Sequence, residues 1–169
     1  TVSYATTDGS AKDGVGGETG PGIPDYTGTS SGTLIIPAGS PTGTISIPII
    51  NDLVVEGTEN FTVTLSSPVG ATIAVPTATG NITDDDQVTF NISGTPSVTE
   101  GGSATYTINY TGTLAVGQTA TVNYATGTAA GGAADATPGT DYTAIASTLL
   151  TFTGGGPTSQ TVTVNTLDD

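Results

Sequence analysis

The chain has no cysteine, histidine, methionine or tryptophan, and one cation, Lys12, faces 15 acids. Each absence removes a class of function. Without cysteine the fold is held by its core, its sheet ladders or metal ions, not by disulfides. Without histidine or cysteine, and with its only lysine in a glycine-rich loop, the chain can hardly assemble a nucleophile–base pair. Paired carboxylates can cleave glycosides, but that chemistry needs a pocket, and no aromatic residues cluster near the acids. An enzyme is not expected. A net charge of −14 leaves almost nothing to displace counterions from phosphates, so nucleic acid is excluded as a partner, and an anionic membrane surface is disfavoured on the same ground. No run is long and apolar enough to span a bilayer, and no membrane insertion is expected. The glycine-rich loops lack the P-loop arrangement of lysine and hydroxyl residue, which argues against a phosphate cradle. No signal peptide is visible, and the sequence starts directly in a strand-like run, as an excerpt would.

What remains is concentrated. Only 9% of residues are charged, and the acids gather at a few points between runs of valine, isoleucine, threonine and tyrosine. That is a folded chain with localised acid, not a solvated tail. Glycine, proline and threonine punctuate the sequence, and the runs between them alternate. Val88, Phe90 and Ile92 share one face, as do Ala104, Tyr106, Ile108 and Tyr110. Ile45, Ile47 and Ile49 repeat the pattern, and so do Phe61, Val63 and Leu65. A period of two marks half-buried strands, and many short strands between turns predict an all-β protein built of antiparallel β-sandwiches. Tyr4, Tyr26, Tyr106, Tyr110, Tyr124 and Tyr142 read as core or interstrand residues ahead of a sugar-stacking platform.

An internal repeat sets the domain organisation. "TVSYAT" at 1–6 returns as "TVNYAT" at 121–126, a period of 120 residues. "PDYTG" at 24–28 returns as "TDYTA" at 140–144, "GTLIIPAG" at 32–39 as "STLLTFTG" at 147–154, and "TISIPIIND" at 44–52 as "TVTVNTLDD" at 161–169. The copies differ mainly in the loops "AKDGVGGETGPGI" and "AAGGAADATPG". Residues 1–86 are therefore expected to be the C-terminal part of one module without its opening strands, and 87–169 the N-terminal part of the next without its closing strands. A whole module would read as 87–169 followed by 53–86. Two arrangements fit: an excerpt of a continuous array, or chains that complete one another by strand donation.

In that order the acids occupy the turns: Glu100 in "SVTEGGSATY", Asp25 and Asp141 before tyrosine, Asp52, Glu56 and Glu59 in "INDLVVEGTENF", and Asp84, Asp85 and Asp86 in "ITDDDQ". Alone, three aspartates in a row read as a solvated hinge. Consecutive residues of an extended chain advance about 3.3 Å each. Unit charges about 4 Å apart repel by roughly 4 kcal/mol at an effective dielectric near 20. Lys12 cannot offset such a cluster, whereas divalent ions can. An all-oxygen donor set suits calcium, with its six to eight oxygen ligands, and argues against zinc, copper and iron.

The segments "EGGSATYTINY", "VNYATGTA", "GTDYTA", "INDLVVEGTENFTVTLSSP" and "ITDDD", in this order and spacing, resemble the Calx-beta domain, a calcium-binding sandwich, over essentially the whole chain as two partial copies. The resemblance implies immunoglobulin-like modules of about seven strands each, in tandem, and no enzymatic activity. It maps the family's calcium ligands to Asp25, Asp52, Glu56, Glu59, Asp84, Asp85 and Asp86 in the first copy, with the carbonyl of Val54, and to Glu100, Asp141, Asp168 and Asp169 in the second. Asn51 and Leu53 depart from the family's acidic run, which lowers the expected ion count.

The function expected from this resemblance is a calcium-stiffened spacer or fibre segment of a long extracellular, bacterial surface or matrix protein. Its partners would be calcium ions and adjacent modules or like chains. The alternatives are an adhesive module that recognises a glycan or protein through loops 7–24 and 127–140, and a calcium sensor.

Overall fold

The computed structural model describes residues 1–94, 97–127 and 136–168. Asp169 and most of loop 127–140 lie outside the described residues. All regular elements among the described residues are strands, as the alternation predicts. No helix there is long and apolar enough to cross a membrane. The chain divides into two compact units, Thr1–Asp86 and Gln87–Asp169.

Unit 1 carries β1 (Val2–Asp8), β2 (Gly32–Leu34), β3 (Val54–Val55), β4 (Glu59–Ser66) and β5 (Thr77–Ile82). Four of these form an antiparallel sheet in the order β2-β1-β4-β5. Its core is small: Ala11, Tyr26 and Phe61 are buried, with Ile47, Val63 and Ile82 packed against them. Tyr26 and Phe61 stack with centroids 4.4 Å apart and planes 16° from parallel. Phe61 has Gly80 opposite it on β5, and a Cβ at that position would lie 2.5 Å from the ring. The glycine lets the ring lie across the neighbouring strand and cover its backbone.

Unit 2 carries β6 (Thr89–Gly94), β7 (Ser103–Thr111), β8 (Thr113–Leu114), β9 (Thr119–Tyr124), β10 (Thr148–Thr153) and β11 (Ser159–Asn165). Two sheets, β11-β7-β6 and β10-β9, supply its core. Phe152 of β10 is 1% exposed and meets Tyr110 of β7 at 5.4 Å edge-on and Phe90 of β6 at 5.5 Å. These aromatic contacts join the two sheets face to face, the arrangement of a sandwich. Tyr26, Tyr110 and Tyr142 are core residues.

The repeat holds at the level of single hydrogen bonds. Thr6 N donates to Thr29 O, and Thr126 N to Ile145 O. The same threonines accept through Oγ1 from the backbone N of Thr29 and Ile145, at 2.7 and 2.8 Å. Tyr26 bridges to Ile49, and Tyr142 to Thr166. One element differs. The alternation predicts a strand through Ile45, Ile47 and Ile49, and the matching residues of unit 2 form β11, paired with β7 from Ser159 to Asn165. Unit 1 has no β7-like strand, and residues 43–48 form no ladder. A strand needs a neighbour for its backbone groups; without one, only Ile49 is bridged and Ile47 packs.

Candidate metal centre

The site of unit 1 follows from the register of β4 and β5. Glu59 stands opposite Ile82, so the first residue of β4 lies beside the last of β5, and Asp84–Asp86 follow at once at the same end of the sheet. Glu56 precedes Glu59 in the approach to β4. Asp25 is brought there by its neighbour Tyr26, which is fully buried on Phe61 of β4. Asp25 is itself only 5% exposed, the one buried charged residue among those described. Its backbone N donates to Lys12 O at 2.8 Å, and its Oδ2 accepts from Lys12 N at 2.5 Å. Its carbonyl accepts from Ile50 N at 2.9 Å, which draws the 50–52 turn alongside.

Asp25, Asp52, Glu56, Glu59, Asp84, Asp85 and Asp86 all line one cleft of about 260 Å³, together with Ile49, Ile50, Asn51, Gly57, Ile82 and Thr83. Carboxylate oxygens of Asp25, Glu56 and Glu59 lie within 4.8 Å of one another. An ion with ligands at 2.3–2.6 Å spans oxygens up to about 5 Å apart, so these three could touch one cation. Asp52 Oδ1 is held by Val54 N at 2.8 Å. Val54 does not line the cleft.

The field in the cleft is that of unpaired like charges. Glu56 is pushed up to about 7, first by burial and then by Glu59, Asp25, Asp52 and Asp84. Glu59 is raised by burial and by Asp25, with Lys12 opposing. Asp86 is raised by partial desolvation, then by Asp84, Asp85 and Asp52. Burial and like charge favour their neutral forms, and a cation in the cleft would favour the ionised ones.

Sequence reasoning missed Gly22. Its φ is +82°, and a Cβ there would lie 1.8 Å from Glu56 Oε1. The loop read as variable therefore lies directly against an acid of the cleft. The only signal was "GPGIP", a glycine beside proline just before Asp25. Asp8, outside the cleft, accepts the hydroxyl of Tyr26 at 2.6 Å and Asp13 N at 3.2 Å. Burial and the Asp8 carboxylate both raise the Tyr26 hydroxyl above its ordinary value.

In unit 2 the expected residues are distributed differently. Asp141 is set like Asp25: its N donates to Thr137 O at 2.9 Å, its Oδ2 accepts from Thr137 N at 2.6 Å, and its carbonyl accepts from Leu167 N at 2.9 Å. Glu100 and Asp168 are exposed on adjoining turns, joined through Gly101 N and Leu167 O at 3.4 Å. No second group of three converging carboxylates occurs among the described residues.

The profile of the Calx-beta domain family matches the chain twice, over residues 1–87 and 83–169. No curated protein matches it. Among solved structures, the chain is similar to the crystal structure of CBD12 from CALX1.2, with 27% identity and a TM-score of 0.42, over 99% of this chain and 62% of that one. It is likewise similar to the crystal structure of calcium binding domain CBD12 of CALX1.1, with 28% identity and a TM-score of 0.41, over 99% of this chain and 63% of that one. The chain thus spans less than two thirds of either structure.

Proposed function

The chain belongs to the Calx-beta domain family, and from that premise we propose that the cleft of unit 1 binds calcium and that the chain is a calcium-stiffened spacer of a long extracellular protein. The observation that carries the reading is the convergence of seven carboxylates on one cleft, three of them within reach of a single ion. Asp25, Glu56 and Glu59 form the inner part of the site. Asp52, Asp84, Asp85 and Asp86 supply further oxygens toward the six to eight that calcium takes. Nitrogen and sulfur ligands are absent from the whole sequence, which removes the usual zinc and copper chemistries. In unit 2, Glu100, Asp141, Asp168 and Asp169 are the corresponding partial set.

The spacer reading rests on sequence continuity. Asp86 and Gln87 are neighbours, no glycine or proline separates the units, and the two family matches overlap at residues 83–87. Ions fixed on Asp84–Asp86 would restrict bending at that junction. A millimolar extracellular setting suits a site in which Asn51 and Leu53 replace acids. Small-angle scattering of the chain tests this directly. A longer and narrower distance distribution in calcium than in chelator is expected; identical distributions would remove the stiffening role and leave the binding site standing.

A further inference from the structure

We propose that Asp8 is a positioning residue for calcium: without touching the ion, its carboxylate ties together the two segments that aim Asp25 into the cleft. The proposal rests on the calcium reading of unit 1. Asp8 ends β1 and does not line the acid cleft. Asp25 does, and its side chain is aimed by a backbone pair. Lys12 N donates to Asp25 Oδ2 at 2.5 Å, and Asp25 N donates to Lys12 O at 2.8 Å. The first bond commits one carboxylate oxygen to the loop, so the direction of the other follows from where Lys12 lies.

The next residues along the two segments are Asp13 and Tyr26, and one atom holds both. Asp8 Oδ1 accepts the Tyr26 hydroxyl at 2.6 Å and Asp13 N at 3.2 Å. On the other side of Lys12, Ala11 is fully buried and its N donates to Asn60 O at 2.9 Å, one residue after Glu59. Ala11, Lys12 and Asp13 are thus tied in turn to β4, to Asp25 and to Asp8. The rest of this loop carries glycines of positive φ at 14, 17 and 22 and no strand, so ladder bonds do not fix it. A hydroxyl donating to a carboxylate makes a charge-assisted bond, stronger than a neutral one. Tyr26 is fully buried and stacked on Phe61, so this bond joins the loop to the core.

Unit 2 supplies the comparison. By the 120-residue period, Thr128 stands in the sequence where Asp8 does. Tyr142, the counterpart of Tyr26, donates its hydroxyl to the neutral carbonyl of Gly127 at 3.1 Å. Asp141 is clamped by Thr137, four residues away, whereas Asp25 is clamped by a residue thirteen away. Among the described residues, the carboxylate tie therefore belongs to the unit whose carboxylates converge. Groups that orient metal ligands from behind set affinity almost as the ligands do.

The test is calorimetric calcium titration of the full chain and of its Asp8→Ala, Asp8→Asn and Tyr26→Phe variants, with melting curves in chelator. Asp8→Ala and Tyr26→Phe should each weaken calcium binding about 10–100-fold. The double variant should bind no more weakly than the weaker single one, because both break the same bond. Asp8→Asn keeps an acceptor oxygen and should restore most of the affinity. Glu18→Gln, which removes a charge from the same loop outside the tie, should bind as the native chain does. Unchanged affinity in Asp8→Ala, with a lowered melting temperature, would make Asp8 a residue of the fold alone and overturn the proposal. So would equal losses in Asp8→Asn and Asp8→Ala, because charge and not geometry would then draw the ion. Both results leave the calcium reading standing; a native chain that binds no calcium would overturn that reading and this proposal with it.

Discussion

Glu56 shows how far single residues in the cleft are held from their ordinary state. Its folded value near 7 lies above the ordinary 4.5, so between those values the folded chain holds more protons than the unfolded one. The contribution is complete below about pH 4.5 and is lost as pH rises through 7. Glu59 and Asp86 are displaced in the same direction. The calcium-free chain should therefore melt at a lower temperature at pH 8 than at pH 5, and saturating calcium should reverse that order, because it binds the ionised carboxylates. Thermal unfolding at the two pH values checks both. Gly22→Ala should cost about 1 kcal/mol or more, since φ there is +82°. It should also weaken calcium binding, because the new Cβ displaces the Glu56 carboxylate; denaturant unfolding and calorimetry separate the two effects. Phe61→Ala removes the ring that holds Tyr26 and hence Asp25, at a cost of about 3–5 kcal/mol.

At the scale of elements, the sequence was legible wherever a strand had its partner. Alternation at Phe61, Val63 and Leu65 became β4, and alternation from Ala104 to Tyr110 became β7. The same pattern at Ile45, Ile47 and Ile49 did not become a strand, because periodicity records which face is apolar and not whether a neighbour is present to complete the ladder. Hydrogen exchange should reflect this: amides of 104–110 should exchange much more slowly than those of 44–48. Comparable rates would mean that the 44–48 segment finds a partner in solution. The site was legible to a similar degree. The acidic turns stood out by composition, and the Glu59–Ile82 register joins two of them in one cleft. The part played by Gly22 and the backbone of Lys12 was hidden, because a glycine-rich loop carries no period and its closeness to Glu56 arises only when the loop folds back.

For the whole molecule, the family match repeats, over residues 1–87 and 83–169. Among the described residues one unit carries five strands and the other six, against about seven in an immunoglobulin-type sandwich. Large apolar side chains are left exposed, among them Ile49 at 51%, Val75 at 72% and Ile92 at 64%. Calcium bound only by the folded chain would stabilise it with the logarithm of its excess, by about 2.7 kcal/mol at a hundredfold excess over Kd. The most direct test is a calorimetric calcium titration of the chain beside its Glu56→Gln, Glu59→Gln variant, with melting curves in chelator and in calcium. Saturable binding with a raised melting temperature in the native chain, both sharply reduced in the variant, is the expected result. Unchanged melting between chelator and calcium, or equal binding by the variant, would show only a diffuse ionic atmosphere and contradict the account.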